Sequence, residues 1–310
     1  MKKHRHSHSF ILSFLHFFIL SFLHLSTVQA YDVELGGIFY CLLGSHRAYV
    51  THADVVPDSD GKYAKEYSGT VVVPSQIRYN GRNYTVMSIG PNAFAGCEKL
   101  NVVRLPSTIQ ALSACAFIGC SNLRQVVLPA DLQAISSCAF TGCTSLQQVS
   151  LPRHAEVVDT LTFYCCTSLT SVILPHTVRA VCQGAFEHLL SLKHLYCFSS
   201  IPPVAERGAF TFADQQNCTL HVPAEAVQLY HESPVWKDFK SIVPLQNGDY
   251  TGQGYQRGDI NDDGHIDAND LALLRQLIVG QPDEAYVRWA ADVNADGIVN
   301  AIDFVIQSKR

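Results

Sequence analysis

Between Ile89 and Cys197 one short phrase is written five times with a period of 23 residues. Leu105-Pro106, Leu128-Pro129, Leu151-Pro152 and Leu174-Pro175 keep that step, as do Phe94, Phe117, Phe140, Phe163 and Phe186. Leu100, Leu123, Leu146, Leu169 and Leu192 follow in the same phase, with Cys97, Cys120, Cys143 and Cys166. A unit this short cannot bury its own apolar face, so each copy must stack on the next, and the chain is restricted to a solenoid. In Ser121–Pro129 the residues Leu123, Val126 and Leu128 read as a short strand with its apolar side inward, stopped by Pro129. The expectation is an α/β solenoid with a parallel sheet on one face, strands about 4.8 Å apart. The phenylalanines then line the inside of an opposite, partly helical wall.

The text L-x-x-V-x-L-P, then A-F-x-G-C-x-x-L, resembles the BspA-type bacterial surface leucine-rich repeats over about Gly69 to Pro244. That family is a scaffold for adhesive and interaction proteins, so the resemblance implies a fold more firmly than a ligand. The eleven cysteines are read as buried thiols. Side chains in register on one ladder run parallel, which is poor disulfide geometry. The slots also accept leucine: Leu189 replaces the ladder cysteine, Leu161 stands where Cys115 and Cys138 stand, and Cys197 takes the strand position of Leu174. Cys41, Cys165, Cys166, Cys182 and Cys218 are less constrained.

Residues 1–30 read as an export signal: Lys2, Lys3 and Arg5, an apolar run from Phe10 to Leu25, then Val28-Gln29-Ala30 as a cleavage site. The apolar run is short for a membrane span of roughly 20 residues, and the mature chain holds no second span. Removing the signal leaves 19 basic against 27 acidic residues, which disfavours nucleic acid as a partner. Residues 31–88 are expected to cap the first repeat. Gln76–Tyr79 and Arg82–Ile89 flank Asn80-Gly81, the strongest hairpin signal in the chain. Such a hairpin would cover the open edge of the repeat sheet. The repeat domain is read as 89–245, closed by a short helix from Ala224 to His231 with Trp236 and Phe239 as plugs. Residues 246–257, rich in Gly and Gln, are read as a linker.

The remaining residues, 258–310, carry ten Asp or Glu against four Lys or Arg, and they repeat a second motif 33 residues apart. Asp259 and Asp292 stand at position 1 of a twelve-residue loop, Asn261 and Asn294 at 3, and Asp263 and Asp296 at 5. Gly264 and Gly297 fill position 6, where the chain turns sharply, and His265 and Ile298 offer carbonyls at 7. Asp267 and Asn300 occupy 9, and Asp270 and Asp303 occupy 12. This spacing wraps the six to eight oxygens that calcium requires around one point, and two agreeing copies predict two Ca2+ ions. Aspartate at 12, running into Leu271, Leu274, Leu277 and Ile278 in one copy and Ile302, Val305 and Ile306 in the other, resembles a type I dockerin, a small all-α calcium-binding domain. The resemblance implies a cohesin partner, contacted through the positions before the last aspartate: Ala268 and Asn269, and Ala301 and Ile302. These are not the Ser-Thr pair of the best-known cellulosomal type.

Together these readings describe an exported, non-catalytic recognition protein at the cell surface or outside the cell. A repeat scaffold would bind a protein or glycan ligand while a calcium-folded module docks onto a cohesin. The candidate ligand face is the outward column Arg104, Val127, Ser150, Ile173 and Tyr196, with His194 from the adjacent column Val102, Gln125, Gln148 and Ser171. One alternative is a glycoside hydrolase-like component of a polysaccharide-degrading complex, which needs two carboxylates across a cleft. Glu156 and Asp159 are the close acidic pair within the repeats, and Cys182 with His188 lacks an orienting third group. The other alternative is a structural spacer.

Overall fold

The computed structural model describes residues 31–52, 67–211, 213, 215–246, 258–260, 266, 268–278, 290, 291, 293 and 301–309. The chain begins with β1 (Val33–Leu35), β2 (Ile38–Leu43), β3 (Arg47–Thr51), β4 (Gly69–Val72), β5 (Gln76–Tyr79) and β6 (Arg82–Ile89). The repeats then alternate a longer with a two-residue strand: β7 (Leu100–Arg104) and β8 (Ala111–Leu112), β9 (Gln125–Val127) and β10 (Ala134–Ile135), β11 (Gln148–Ser150) and β12 (Val157–Val158). They continue with β13 (Ser171–Leu174) and β14 (Ala180–Val181), then β15 (His194–Cys197) and β16 (Val204–Ala205), and end on β17 (Thr219–Val222) and β18 (Ser241–Pro244).

Each rung up to β15 and β16 therefore contributes to two parallel ladders, and β17 and β18 extend only the main one. The main one runs β4-β7-β9 and β11-β13-β15-β17-β18; the second runs through β6-β8-β10 and β12-β14-β16. The register is in phase, pairing Gln148 with Ser171 and Ser171 with His194, and Ser150 with Ile173 and Ile173 with Tyr196. Both ladders part at the same place, between the rung of β9 and β10 and that of β11 and β12. There the turns carry the stack, as Phe140 N donates to Thr162 O at 2.9 Å and Gly142 N to Tyr164 O at 2.8 Å.

The wall opposite the main ladder is made of tight turns where a partly helical wall was expected. Backbone N–H groups alternate between two acceptors. Ile118 donates to Cys115 O in its own turn, whereas Phe117 donates to Ala139 O and Gly119 to Thr141 O, both in the next rung. An α-helix would need every one of those donors for its own carbonyls four residues back, so stacking and helix formation exclude each other here. Two left-handed slots per turn make the corner: Asn92, Cys115, Cys138, Leu161 and Gly184 fill one at φ 55 to 65°, and Gly96, Gly119, Gly142, Cys165 and His188 the other at φ 59 to 73°.

Inside, Phe94, Phe117, Phe140, Phe163 and Phe186 stack parallel at 5.0, 5.3, 5.5 and 5.8 Å between ring centroids, and Phe210 continues the pile at 5.2 Å. Cys120, Cys143 and Cys166 donate their thiols to Phe94 O, Phe117 O and Phe140 O at 3.0 to 3.2 Å. The ladder cysteine is thus a small buried side chain that also satisfies a carbonyl, and none of the eleven cysteines is in a disulfide.

Aromatic side chains meet both ends of the pile. Tyr67 lies 4.7 Å from Phe94, and its hydroxyl donates to Thr51 O at 2.9 Å. At the other end Trp236 and Phe239 contact Phe210 edge-on at 5.5 and 5.3 Å, and Trp236 Nε1 donates to Pro203 O at 2.7 Å. The Asn80-Gly81 hairpin forms between β5 and β6, with φ of 48° and 76° at the turn. It does not end its sheet, because β3 pairs in parallel beyond β6 and is followed by β2 and β1, while β4 holds the edge of the main ladder. Among the described residues no helix is long and apolar enough to cross a membrane.

Candidate functional site

Two regions carry the expected chemistry, the tail loops and the outer face of the main ladder. In the tail, Asp270 lies in the first turn of the helix Ala268–Ile278, where a carboxylate is favoured by the helix dipole. It is fully buried, and its Oδ1 accepts the backbone N–H of Ile260 at 2.6 Å. This bond draws the second position of the first loop onto the twelfth, so the loop is closed. Gly258 N donates to Ala290 O at 2.8 Å, and Gln307 Nε2, on the helix Ala301–Gln307, donates to Gly258 O at 2.7 Å. The start of the first loop is thereby tied to the segment preceding the second.

Asp259 and Asp303 are also buried, at 1% and 0% exposure. Three carboxylates withdrawn from water need countercharge, because an uncompensated buried anion is very costly. The side chain of Arg153 approaches one of them, with Nη1 3.9 Å from Asp259 Oδ2. A hard divalent cation in each loop, Asp259 and Asp270 facing one and Asp303 the other, would supply that countercharge through aspartate oxygens. Asn261, Asp263, His265, Asp267, Asp292, Asn294, Asp296, Ile298 and Asn300 lie outside the described residues. Among the described residues no three His, Cys, Asp or Glu side chains gather around one point. The expected partner-contact positions Ala268 and Asn269 are exposed, and Ala301 and Ile302 open the second helix.

On the main ladder the register sets Arg104 beside Val127, and Ser150, Ile173, Tyr196 and His221 in one row. Arg104, Val127 and Ser150 are exposed. Ile173 is not: it is 6% exposed and clusters with Phe198, Ile260, Leu274, Ala290 and Ala291, with Tyr196 partly buried at the margin. The C-terminal region covers that end of the face, so the expected column is open over its first three positions only. His194 is exposed, and its Nδ1 lies 3.1 Å from His221 Nε2, while Tyr196 stacks on His221 at 4.3 Å. His221 and Phe198 were not singled out in the sequence, because the repeat lengthens after Cys197 and the 23-residue phase no longer assigns faces there.

The pairs weighed for catalysis have other employment. Asp159 Oδ1 accepts Thr160 N at 2.7 Å, and its carbonyl accepts Thr162 Oγ1, so it shapes a turn. Glu156 is exposed, and its carbonyl receives Arg179 N at 2.7 Å across the second ladder. Burial, then Glu206 and Asp159, push the Cys182 thiol above its ordinary value, the reverse of what a nucleophile needs. His188 Nε2 faces Glu187 Oε1 at 3.7 Å.

Stacked 23-residue rungs with an aspartate-rich tail define a leucine-rich repeat scaffold joined to a calcium-loop module. Residues 85–219 match the BspA type leucine rich repeat region in six copies, and residues 257–310 match the dockerin type I domain, a calcium-binding domain. The repeat region is thus similar to the first family and the tail to the second. The solved leucine-rich repeat protein of T. pallidum is 23% identical, with a TM-score of 0.52 over 82% of this chain and 98% of that one, and it shares the fold. One from Bacteroides capillosus is 24% identical over 45% of this chain and 95% of that one, with a TM-score of 0.39. No curated protein matches.

Proposed function

We propose that the protein is an exported, non-catalytic recognition protein whose dockerin module binds two calcium ions and attaches the repeat scaffold to a cohesin domain. The observation that carries this is the closed first loop: buried Asp259 and Asp270, drawn together through Ile260 N, bound the first loop of a tail that matches the dockerin family over residues 257–310. Asp259, Asn261, Asp263, His265 through its carbonyl, Asp267 and Asp270 would hold one ion. Asp292, Asn294, Asp296, Ile298 through its carbonyl, Asn300 and Asp303 would hold the other. Calcium supplies the charge that lets these acidic segments fold, so docking depends on it. Ala268 and Asn269, with Ala301 and Ile302, would meet the cohesin. Arg104, Val127 and Ser150, with His194 on the adjacent column, remain the candidate surface for a protein or glycan ligand.

The experiment is capture of the mature chain on immobilised cohesin domains from the producing organism, with calcium and with a chelator. Retention in calcium and release by the chelator support docking. Calcium binding with no retention on any cohesin would leave the module a structural spacer and overturn the reading.

A further inference from the structure

The apolar patch on the β13 and β15 rungs of the main ladder already has an occupant. Ile173 points outward in the same column as Ser150 and Val127, which are exposed, yet only 6% of its surface is accessible. Phe198, one residue beyond β15, is fully buried. The residues that cover them are Ile260, Leu274, Ala290 and Ala291, all from the tail, with Leu273 and Phe304 beside them. A polar contact flanks this patch, as Arg153 Nη1 lies 3.9 Å from Asp259 Oδ2 with the two side chains 17% and 2% exposed.

We propose that the dockerin module seats intramolecularly on the Ile173–Phe198 patch of the repeat sheet, occupying the rungs of β13 and β15 against any external ligand while Ala268 and Asn269 stay outward.

Three features support the seat. An isoleucine and a phenylalanine side by side on a solenoid face, with a half-covered tyrosine at their margin, make an apolar patch that gains from cover. The chain also leaves the solenoid at the seat itself: Leu245 N donates to Val222 O at 2.8 Å, and Leu245 packs into the same cluster. Only residues 247–257 then separate Gln246 from the described Gly258, and a short tether gives an effective concentration of about millimolar, so a contact weak between separate molecules suffices here. Finally, the module uses one side. On the helix Ala268–Ile278, Leu274 is buried and Leu273 half-buried at the seat, whereas Ala268, Asn269, Ala272 and Arg275 are exposed together at helical spacing. A cohesin that meets Ala268 and Asn269 therefore need not displace the module from the sheet. A ligand that needs Ile173 or Tyr196 must displace it, and by linkage it weakens the seat as much as the seat weakens it.

The inference takes the module's fold from the dockerin match and is independent of which cohesin or ligand is bound. Its test is small-angle scattering of the mature full-length chain in calcium, comparing the wild type with Ile173→Asp, Arg153→Glu and, as a control, Val127→Asp two rungs away on the same column. Wild type and control should give one compact profile, and the two seat variants a radius of gyration larger by several ångströms with an extended tail in the distance distribution. Identical profiles for wild type and Arg153→Glu together with Ile173→Asp would overturn the seat. If Ile173→Asp loses its far-ultraviolet dichroism, Arg153→Glu, a partly exposed change, decides alone. Cohesin capture by a chain whose scattering is extended from the outset would sink the seat and leave the docking reading standing.

Discussion

Phe140 is enclosed by its own copies, with Phe117 at 5.3 Å on one side and Phe163 at 5.5 Å on the other, and none of its surface reaches water. A ring with an aromatic neighbour on each face loses burial and two stacking contacts at once when it is truncated. Phe140→Ala should cost about 3–5 kcal/mol, read from the denaturant midpoint of the repeat transition, and Phe140→Leu distinctly less. The thiols beside the pile follow a second rule. Burial pushes Cys197 and Cys165 up to about 11 from a thiol's ordinary 9.0, and raises Cys143 as well. A raised folded value means that the neutral thiol is favoured by folding. That contribution is complete below about pH 9 and is lost as pH climbs through 11. The melting temperature should accordingly fall between these limits, and at pH 8 a thiol reagent should modify the native chain far more slowly than the denatured one. Rapid modification of all eleven cysteines in the native state would contradict the burial.

At the scale of the turn, the same phase that places Phe and Cys also places the left-handed slots. Gly119 and Gly142 sit at φ 73°, a conformation that costs a side-chain-bearing residue roughly 1 kcal/mol. Gly119→Ala should therefore destabilise the stack by about 1 kcal/mol or more, measured by equilibrium unfolding. Cys165 and His188, which occupy the same slot in later copies at φ 59° and 60°, mark where the chain tolerates that strain. Legibility followed the period. Phe94 to Phe186 and Cys97 to Cys166 could be assigned to columns because 23-residue spacing fixes both face and rung. The turn wall could not, because whether Phe117 N bonds within its own turn or to Ala139 O depends on the neighbouring rung, which local propensity does not register. Beyond Cys197 the spacing changes, and β18, His221 and Phe198 went unassigned for that reason. In the tail, the loop spacing assigns Asp259 and Asp270 to the first loop and Asp303 to the second, whereas the covering of Ile173 by Ile260 and Leu274 is a long-range contact that no spacing encodes.

Over the whole molecule, two kinds of stability are joined in one chain. The repeat region is quasi-one-dimensional: each rung contacts its neighbours, and aromatic plugs close the pile at Tyr67 and at Trp236. The tail buries carboxylates, and on the proposed calcium reading much of its folding free energy is binding free energy for the cation. Calcium removal should consequently act on one part of the unfolding profile. Scanning calorimetry of the mature chain should show two transitions in calcium, of which a chelator abolishes the one assigned to residues 258–310 and leaves the repeat transition within a few degrees of its position. Asp270→Asn separates the two roles of that side chain, because the amide oxygen can still accept Ile260 N but carries no charge for the ion. It should preserve the repeat transition and weaken calcium binding at least about tenfold in a dichroism titration of helix content. If the variant gained helix at the wild-type calcium concentration, Asp270 would be closing the loop without holding the ion, and the first site would have to be built from other oxygens.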